Sequence, residues 1–391
     1  MASWIIRRDR LDPDQKRIVD APISSNMWIA GFAGSGKSVI LVHKAISILN
    51  SNPSAKVVFV VYTQSLVDLF RTGLATLGHQ GIEVKTIYEF MDGGNMYDYI
   101  FCDEVQDCTG SMIREIQSRA KRNVIVAGDK FQSIFEQDVR YKEPTIDPQT
   151  VLPRVLSVRT EELTKIYRLT PSIIDAIDRF LPSMKLAING RPNAEKVDVS
   201  IKLCKCDSRR AESLYTYENA ERYIRQSERT AVLFPQHKDC IEFANYLLDS
   251  KGKPQWETEL NRYNKPDFGA LNRHLAANGI KLMYIGNGYG SLKDAETDSI
   301  GVLMTYQSAK GLDFEHVYLP FASSNMFITY NDSRSKTIFM VAMSRSSKNL
   351  TITYSGQLSQ YVSAFRSLCT EISPNSPTTT VSSSSGDDFD F

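Results

Sequence analysis

Eight residues near the start of the chain have the spacing of a phosphate-binding loop. The segment Gly31-Phe32-Ala33-Gly34-Ser35-Gly36-Lys37-Ser38 fits the pattern G-x-x-x-x-G-K-[ST]. Glycines in such a loop let backbone N–H groups converge on phosphate oxygens, and the N-terminus of the next helix adds positive charge. We therefore expect Lys37 to reach the β- and γ-phosphates of a nucleotide and the hydroxyl of Ser38 to hold Mg²⁺.

The residues around this loop suit a strand–loop–helix unit. An apolar run at 27–30 precedes the loop, and an apolar, helix-compatible run begins at Val39. A glycine-rich turn that matched by chance would lack both flanks. Upstream, Gln15 lies in a helix that Asp12 and Pro13 are suited to begin. Its amide can read the edge of an adenine, although a glutamine here can also be a plain surface residue.

A pair of carboxylates directly follows another apolar run. Residues 99–102 read Tyr-Ile-Phe-Cys and lead into Asp103 and Glu104. Ligands of parallel α/β sheets bind at the carboxyl ends of the strands, where this pair would lie. We expect Asp103 to bind Mg²⁺, directly or through water, and Glu104 to polarise an attacking water. The alternative, an acidic turn, leaves the apolar run unexplained.

The elements that would position these residues follow an α/β pattern. Five strand candidates alternate with helical stretches in the first 135 residues, which predicts a parallel sheet with helices on both faces. They are residues 27–30, 57–62, 82–87, 99–102 and 123–127. A second α/β series opens near Leu163. Its strand candidates are residues 231–234, 300–306, 317–320 and 350–354.

Length and composition predict two domains and a tail. The chain has 391 residues, 42% of them hydrophobic, which suffices for about two domains with their own cores. We predict an N-terminal ATP-binding lobe at 1–150, a C-terminal lobe at 151–365 and a disordered tail at 366–391. The tail is rich in Pro, Ser and Thr from residue 373 and cannot bury enough apolar surface to fold.

Charge and cysteine content exclude several classes of protein. The net charge is +1, so any surface that binds nucleic acid must be local. Six cysteines and five histidines lack the spacing of a zinc site. No apolar run approaches the length of a membrane span. We expect a soluble cytoplasmic protein with reduced thiols and no membrane partner, either monomeric or part of a larger complex.

The order of the motifs resembles that of superfamily 1 helicases of the UvrD/Rep type. The resemblance covers most of residues 11–356. The matching segments are Gln15 and residues 31–38, 62–64, 103–107, 128–135, 167–168, 305–314 and 341–346. It implies two tandem RecA-like lobes with mainly parallel sheets. It also implies an ATP hydrolase in which ATP pulls the lobes together and hydrolysis releases them, so that a single strand moves stepwise.

The resemblance assigns further residues to the nucleotide. Gln132 would sense the γ-phosphate and Tyr167 would stack on adenine. Arg168 and Arg345 would reach the γ-phosphate from the second lobe as arginine fingers and stabilise charge in the transition state. The candidate catalytic residues are therefore Lys37, Glu104, Gln132, Arg168 and Arg345.

Two more residues complete the expected site, since the resemblance puts Gly311 and Asp313 near the ribose and the cleft between the lobes. The residues expected to bind ATP are Gln15, Gly31, Gly34, Ser35, Gly36, Lys37, Ser38, Val39, Tyr167, Arg168, Gly311, Asp313 and Arg345. The expected ligands of Mg²⁺ are Ser38 and Asp103.

A motor on a single strand also needs a nucleic-acid surface. Such surfaces combine aromatic rings, on which bases stack, with groups that hold phosphates. The aromatic candidates are Tyr62, Tyr88 and Phe135. The phosphate candidates are Thr63, Thr86 and Thr305. The alternative for each aromatic ring is ordinary packing in a core or cleft.

The chain also departs from the UvrD/Rep pattern. The stretches 63–103 and 248–299 leave no room for the large insertions of that family. Glu-Gln-Asp at 136–138 replaces a Trp-Arg pair, Val39 replaces an arginine and Gln307 replaces a histidine. The ATPase half of the pattern is intact and the half that stacks and splits strands is reduced, which favours a compact motor.

The leading hypothesis is an ATP-dependent DNA helicase or single-stranded DNA translocase. One alternative is a DNA-stimulated ATPase switch that regulates a partner protein, such as a nuclease, without unwinding. Another is an RNA-directed motor, since no feature here separates readers of the 2′-hydroxyl from readers of DNA. The acidic tip at 387–391 resembles the end of bacterial single-strand-binding proteins and is a candidate docking segment; a solvated tail and a strand mimic in the protein's own groove are the alternatives.

Overall fold

Two parallel sheets, each with helices packed against it, form the framework of the protein. The computed structural model describes residues 4–138, 140–192, 198 and 201–374. The predicted α/β class is confirmed. Among the described residues, no helix combines the length and the apolar character that crossing a membrane requires.

The first sheet has six parallel strands in the order β3-β2-β4-β5-β1-β6. Its strands are β1 (Met27–Gly31), β2 (Val57–Val61), β3 (Glu83–Thr86), β4 (Tyr97–Cys102), β5 (Ala120–Gly128) and β6 (Arg159–Leu163). The helices of this half are α1 (Pro13–Asp20), α2 (Lys37–Ser51), α3 (Gln64–Thr76), α4 (Ile87–Asp92), α5 (Gly110–Arg119) and α6 (Pro148–Val155). All five residues of β2 are buried because helices cover both faces of the sheet.

A short connecting region leads to the second half. It contains a two-stranded parallel pair, β7 (Lys165–Ile166) and β8 (Arg191–Pro192), and two helices, α7 (Pro171–Phe180) and α8 (Leu186–Asn189). Short 3-10 helices occur at Arg8–Arg10, Val105–Asp107, Lys130–Gln132 and Arg366–Leu368.

The second sheet has seven parallel strands in the order β11-β12-β10-β13-β14-β9-β15. They are β9 (Ile201–Cys206), β10 (Thr230–Phe234), β11 (Leu282–Tyr284), β12 (Gly301–Thr305), β13 (Phe314–Leu319), β14 (Ser346–Ser355) and β15 (Cys369–Ile372). The helices are α9 (Arg209–Ile224), α10 (His237–Ser250), α11 (Phe268–Ala277), α12 (Leu292–Thr297), α13 (Asp332–Met343) and α14 (Gln360–Ser363).

Two expectations about segment limits differ from the structure. β6 follows the predicted boundary at residue 150, yet it pairs with β1 of the first sheet. β15 lies inside the predicted tail, yet it pairs with β9 and forms the edge of the second sheet. The other predicted domain limits remain a prediction. The acidic tip at 387–391 lies outside the described residues.

The junction between the two halves includes an apolar contact. Leu66 on α3 packs against Gly311, where an added Cβ would lie 2.6 Å from its Cδ2. Gly311 also has a φ of +81°, so a side chain there would be strained as well as crowded. The carboxyl ends of β1, β4 and β5 face this junction and bring the predicted site residues to it.

Candidate functional site

The predicted phosphate loop connects β1 to α2 and needs its glycines. Gly34 and Gly36 have φ values of +75° and +87°. A Cβ on Gly34 would lie 2.4 Å from the Cβ of Arg168, and one on Gly36 would lie 2.6 Å from Nε2 of Gln15. The backbone N–H of Tyr167 donates to the Gly34 carbonyl at 2.8 Å. The loop therefore brings Gln15, Tyr167 and Arg168 to its outer surface.

The loop lysine and serine take up different partners. Lys37 Nζ donates to the carbonyls of Gly31 at 2.9 Å and Phe32 at 3.0 Å. Ser38 Oγ donates to Asp103 Oδ2 at 2.5 Å. A hydroxyl and a carboxylate are hard oxygen donors of the kind that Mg²⁺ prefers, and Mg²⁺ usually keeps several waters. These two side chains therefore fit the ion, although the described residues contain no cluster of three or more acidic, histidine or cysteine ligands.

The two carboxylates after β4 titrate differently. Burial, reinforced by the charge of Glu104, raises the pKa of Asp103 to about 6. Burial also opposes the charge of Glu104, but the ammonium groups of Lys310 and Lys37 outweigh it and lower its pKa below the usual value. Gln106 Nε2 donates to Glu104 Oε2 at 2.5 Å. Glu104 therefore stays ionised, as the predicted activator of water must be.

Arg345 reaches the first lobe through Gln132. Its Nη2 donates to Gln132 Oε1 at 3.2 Å, and Gln132 Nε2 donates to Asp129 Oδ2 at 2.7 Å. Arg345 Nη1 and Arg168 Nη1 both donate to the carbonyl of Leu312, at 3.1 and 3.3 Å. Burial, followed by the charge of Arg168, lowers the pKa of Arg345 to about 9. The structure thus brings the two predicted arginine fingers together.

Lys310 lies on the same lobe as Arg345, and the sequence assigned it no role. Lys310 Nζ donates to Asp107 Oδ2 and to the carbonyl of Gln132, both at 2.5 Å. It lies 3.8 Å from Glu104 Oε2. The one signal in the sequence is a lysine inside the apolar stretch 309–312, which indicates a buried ion pair but not its partner.

Asp313 occupies the second-lobe side of the junction. Arg229 Nη2 lies 3.2 Å from Asp313 Oδ2, and Nη1 donates to the Asp313 carbonyl at 3.1 Å. Burial opposes the negative charge, but Arg168 and Arg229 lower the pKa of Asp313 below its usual value. Asp313 is therefore an ionised hydrogen-bond acceptor at the junction.

A cavity of about 350 Å³ opens between the two halves. That volume lies within the range of small-molecule sites. The predicted residues on its wall are Gln15, Gly34, Gly36, Lys37, Ser38, Val39, Glu104, Gln132, Tyr167, Arg168, Gly311, Asp313 and Arg345. The sequence did not assign six further wall residues, which are Trp4, Ile6, Arg10, Ala33, Leu69 and Ser347.

Three predicted residues lie just behind this wall. Gly31 contributes the carbonyl that accepts from Lys37, and Asp103 accepts from Ser38. Ser35 is fully buried, and its carbonyl accepts from Gln15 Nε2 at 3.5 Å. These residues support groups on the wall rather than facing the cavity.

The predicted aromatic contacts to nucleic acid form one cluster on the first lobe. The rings of Tyr62 and Phe135 are stacked with centroids 5.1 Å apart, and all three aromatic candidates are half-buried. The hydroxyls of Tyr62 and Tyr88 both donate to Asp138 Oδ2, at 3.0 and 2.6 Å. Asp138 belongs to the segment 136–138 that departs from the UvrD/Rep pattern, and it orients the rings of Tyr62 and Tyr88.

The predicted phosphate contacts lie on both lobes. Thr63 Oγ1 accepts from the Leu66 N–H at 3.3 Å and caps α3, and Thr86 Oγ1 accepts from the Glu89 N–H at 3.2 Å and caps α4. Thr305 ends β12 of the second sheet but is buried, 4% exposed, with its hydroxyl 2.8 Å from Ser308 Oγ, so the structure does not present it to a strand. The hydroxyls of both helix caps accept from the backbone and can still donate to a phosphate.

Comparison with known proteins gives one family match. Residues 27–163 match the viral superfamily 1 RNA helicase core domain. This match includes the phosphate loop, both carboxylates and Gln132, and it ends before Tyr167. It supports the superfamily 1 part of the predicted resemblance over those residues, whereas the UvrD/Rep type stays a prediction. No curated protein matches the chain.

Solved structures show weaker likenesses. Arterivirus nonstructural protein 10, a helicase, is 15% identical with a TM-score of 0.45, over 90% of this chain and 63% of its own length. The structure of the same protein in complex with DNA is 15% identical with a TM-score of 0.42, over 90% of this chain and 65% of its own length. The PRRSV helicase is 14% identical with a TM-score of 0.42, over 88% of this chain and 54% of its own length. The chain thus spans less than two thirds of these helicases.

Proposed function

We propose that this chain is an ATP hydrolase of the helicase type that couples closure of its two lobes to movement along a single strand of nucleic acid. One observation carries the proposal. A single cavity is lined by the loop lysine Lys37, by Glu104 and by the guanidinium groups of Arg168 and Arg345 from beyond the first sheet.

Each of these groups has a place in phosphoryl transfer. Lys37 would leave its loop carbonyls for the β- and γ-phosphates, and Ser38 and Asp103 would hold Mg²⁺, which neutralises phosphate charge when bound. Glu104 would orient the attacking water. Arg345 would stabilise the charge that develops on the γ-phosphate. Because Arg345 also contacts Gln132 of the first lobe, a γ-phosphate beside both side chains would add a link between the lobes that hydrolysis would remove.

Single-stranded DNA is the first candidate for the strand, and RNA is the second. The match of residues 27–163 to a viral RNA helicase core favours testing RNA on equal terms. In either case the half-buried cluster of Tyr62, Tyr88 and Phe135 offers rings for base stacking on the first lobe. On the second lobe Thr305 is buried, and the half-buried Ser308, whose Oγ lies 2.8 Å from Thr305 Oγ1, offers the more accessible hydroxyl.

The test is the rate of ATP hydrolysis with single- and double-stranded DNA and RNA, with and without Mg²⁺. We expect stimulation by a single strand, loss of activity with EDTA, and loss of both nucleotide binding and hydrolysis in Lys37→Ala. Arg345→Ala should keep nucleotide binding and lose about 10³-fold or more in turnover. Normal turnover in Arg345→Ala contradicts the proposal.

A forked duplex separates the motor from the switch. Stimulated ATP hydrolysis with strand separation supports a helicase, and stimulated hydrolysis with displacement of a bound protein but not of a strand supports a translocase. Stimulated hydrolysis without either movement favours the switch that regulates a partner protein.

A further inference from the structure

An exposed loop of the second lobe lies between α10 and α11. We call residues 260–266 the tip loop; the antiparallel bridge between Leu260 and Pro266 closes it. Tyr263 is 66% exposed and Leu260 is 55% exposed. The polar, Asn- and Gly-rich composition of the surrounding stretch, 248–299, gives no periodic pattern from which a structure could be predicted.

The tip loop is held in one conformation by Asn261. Its Oδ1 accepts from the backbone N–H groups of Tyr263 at 2.9 Å and Lys265 at 3.2 Å. Its backbone N–H donates to the Lys265 carbonyl at 2.7 Å. Further back, Trp256 is buried and exchanges two hydrogen bonds with the side chain of Asn245. The loop therefore presents Tyr263 at little cost in conformational entropy.

The charge on the tip loop is entirely positive. Arg262 and Lys265 are its ionisable cations, and residues 260–266 contain no Asp or Glu. Within the described parts of the chain, neither cation has a carboxylate within ion-pair distance. The guanidinium carbon of Arg262 lies 4.7 Å from the ring centroid of Tyr263. Glu259 and Asp267 flank the loop, and the Asp267 carboxylate accepts from the N–H groups of Gly269 and Ala270 at the start of α11. An exposed aromatic ring beside two cations is the chemistry that single strands of nucleic acid require.

The tip loop connects to the end of β12 through the loop that follows β11. Asn261 Nδ2 donates to the Tyr289 hydroxyl at 2.9 Å, and the Gly286 N–H donates to the Tyr289 carbonyl at 3.0 Å. An added Cβ on Gly286 would lie 3.2 Å from Ser308 Oγ. That hydroxyl lies 2.8 Å from Thr305 Oγ1. Thr305 itself is buried at 4% exposure, so the half-buried Ser308 and Tyr289 are the parts of this connection that a strand can reach.

We propose that the tip loop is a second contact for the nucleic-acid strand on this lobe, with Tyr263 stacking on an unpaired base and Arg262 and Lys265 binding the flanking phosphates. The inference rests on the proposed nucleic-acid function and adds a site to it. The tip loop lengthens the track that begins at Ser308, so its contribution depends on the length of the strand.

The test measures binding of labelled single strands from about 4 to about 16 nucleotides by fluorescence anisotropy. Tyr263→Ala should bind long strands about tenfold more weakly, the effect of losing one stacked base, and short strands as the wild type does. Tyr263→Phe keeps the ring and should bind as the wild type does. In the double variant Arg262→Ala/Lys265→Ala, the magnitude of the slope of log affinity against log salt should decrease by about 1.4, because two phosphate contacts are lost.

A charge-matched control comes from a strand near the opposite edge of the second sheet. Lys202 and Lys205 lie on β9, which three strands separate from β12. Lys202→Ala/Lys205→Ala should leave the salt slope as it is. Because the altered side chains of the tip loop are exposed, every variant should keep the thermal midpoint of the wild type, which shows that it folds.

Each outcome has a distinct meaning. If the wild type binds long strands and Tyr263→Ala binds them equally well, the inference fails and the proposed function stands. If the variants lose affinity for duplex but not for single strands, the assignment to an unpaired base is wrong. If the wild type binds no nucleic acid, the proposed function and the inference fail together.

Discussion

Lys310→Met tests whether one buried charge fastens the two lobes. The side chains of Lys310 and Asp107 are 4% and 1% exposed. Methionine keeps an unbranched apolar stem of similar length, so the substitution removes the charge with little change in volume. It leaves a buried carboxylate on Asp107 and an unpaired carbonyl on Gln132.

The expected loss follows from the burial of both partners. Removing one member of a buried ion pair costs about 3–5 kcal/mol, because the other charge stays buried without its partner. Asp107→Asn should cost less, since Lys310 keeps the Gln132 carbonyl and lies near Glu104. The double variant should be more stable than the sum of the single losses predicts, by about 1–3 kcal/mol.

The loss should also depend on pH. Burial, partly offset by Lys310, raises the pKa of Asp107 to about 6, above the 3.8 of an exposed carboxyl. A raised pKa contributes stability below the unfolded value and loses it as the pH rises through the folded value. Without Lys310 the folded pKa rises further. The free-energy loss in Lys310→Met should therefore be smaller at about pH 5 than at about pH 8.

Urea unfolding of the wild type, the two single variants and the double variant, at about pH 5 and at about pH 8, measures these free-energy losses. Lys336→Met is the control, since Lys336 forms an exposed pair with Asp332 and its loss should change stability by less than about 0.5 kcal/mol. Losses in Lys310→Met and Asp107→Asn that add within about 0.5 kcal/mol refute the reasoning. An equal loss at the two pH values does so too.

Two further substitutions test the backbone of the site and the core of the second lobe. Gly34→Ala forces a Cβ against Arg168 at a φ of +75°, so it should cost at least about 1 kcal/mol in thermal denaturation and weaken nucleotide binding; an unchanged midpoint argues against the packing. Glu212→Ala removes the buried acceptor of the Phe321 N–H and the Thr353 hydroxyl. It should lower the free energy of unfolding by about 2 kcal/mol, with Glu212→Gln losing less.

The strands that carry the site were predictable because they are buried on both faces. β2 and β4 contain continuous apolar runs, and such runs indicate central strands of a parallel sheet. β6 reads Arg-Thr-Glu-Glu-Leu and exposes three of its five residues. It forms the edge of the sheet, where one buried face suffices, and a short alternating run with charges gives little signal in the sequence.

The same contrast holds within the site. The phosphate loop and the carboxylates after β4 are defined by their neighbours in the chain, so the sequence contains the information that identifies them. Lys310 and Asp107 are 203 residues apart, and their contact depends on how the lobes pack. Asp138 stood in the sequence only as a departure from the family pattern. Its role in orienting Tyr62 and Tyr88 depends on a fold that no local pattern encodes.

Three of the cations of the cavity share one property that bears on how a nucleotide would act on the lobes. Lys37, Arg168 and Arg345 all donate to neutral backbone carbonyls, and the charge of Arg168 disfavours the charge of Arg345. Hydrogen bonds to a charged phosphate are stronger than those to a carbonyl. Under the proposed function, a triphosphate would therefore draw all three side chains toward one anion and relieve the repulsion between the arginines. Since Lys37 belongs to the first lobe and Arg345 to the second, that exchange would tie the position of the lobes to the γ-phosphate.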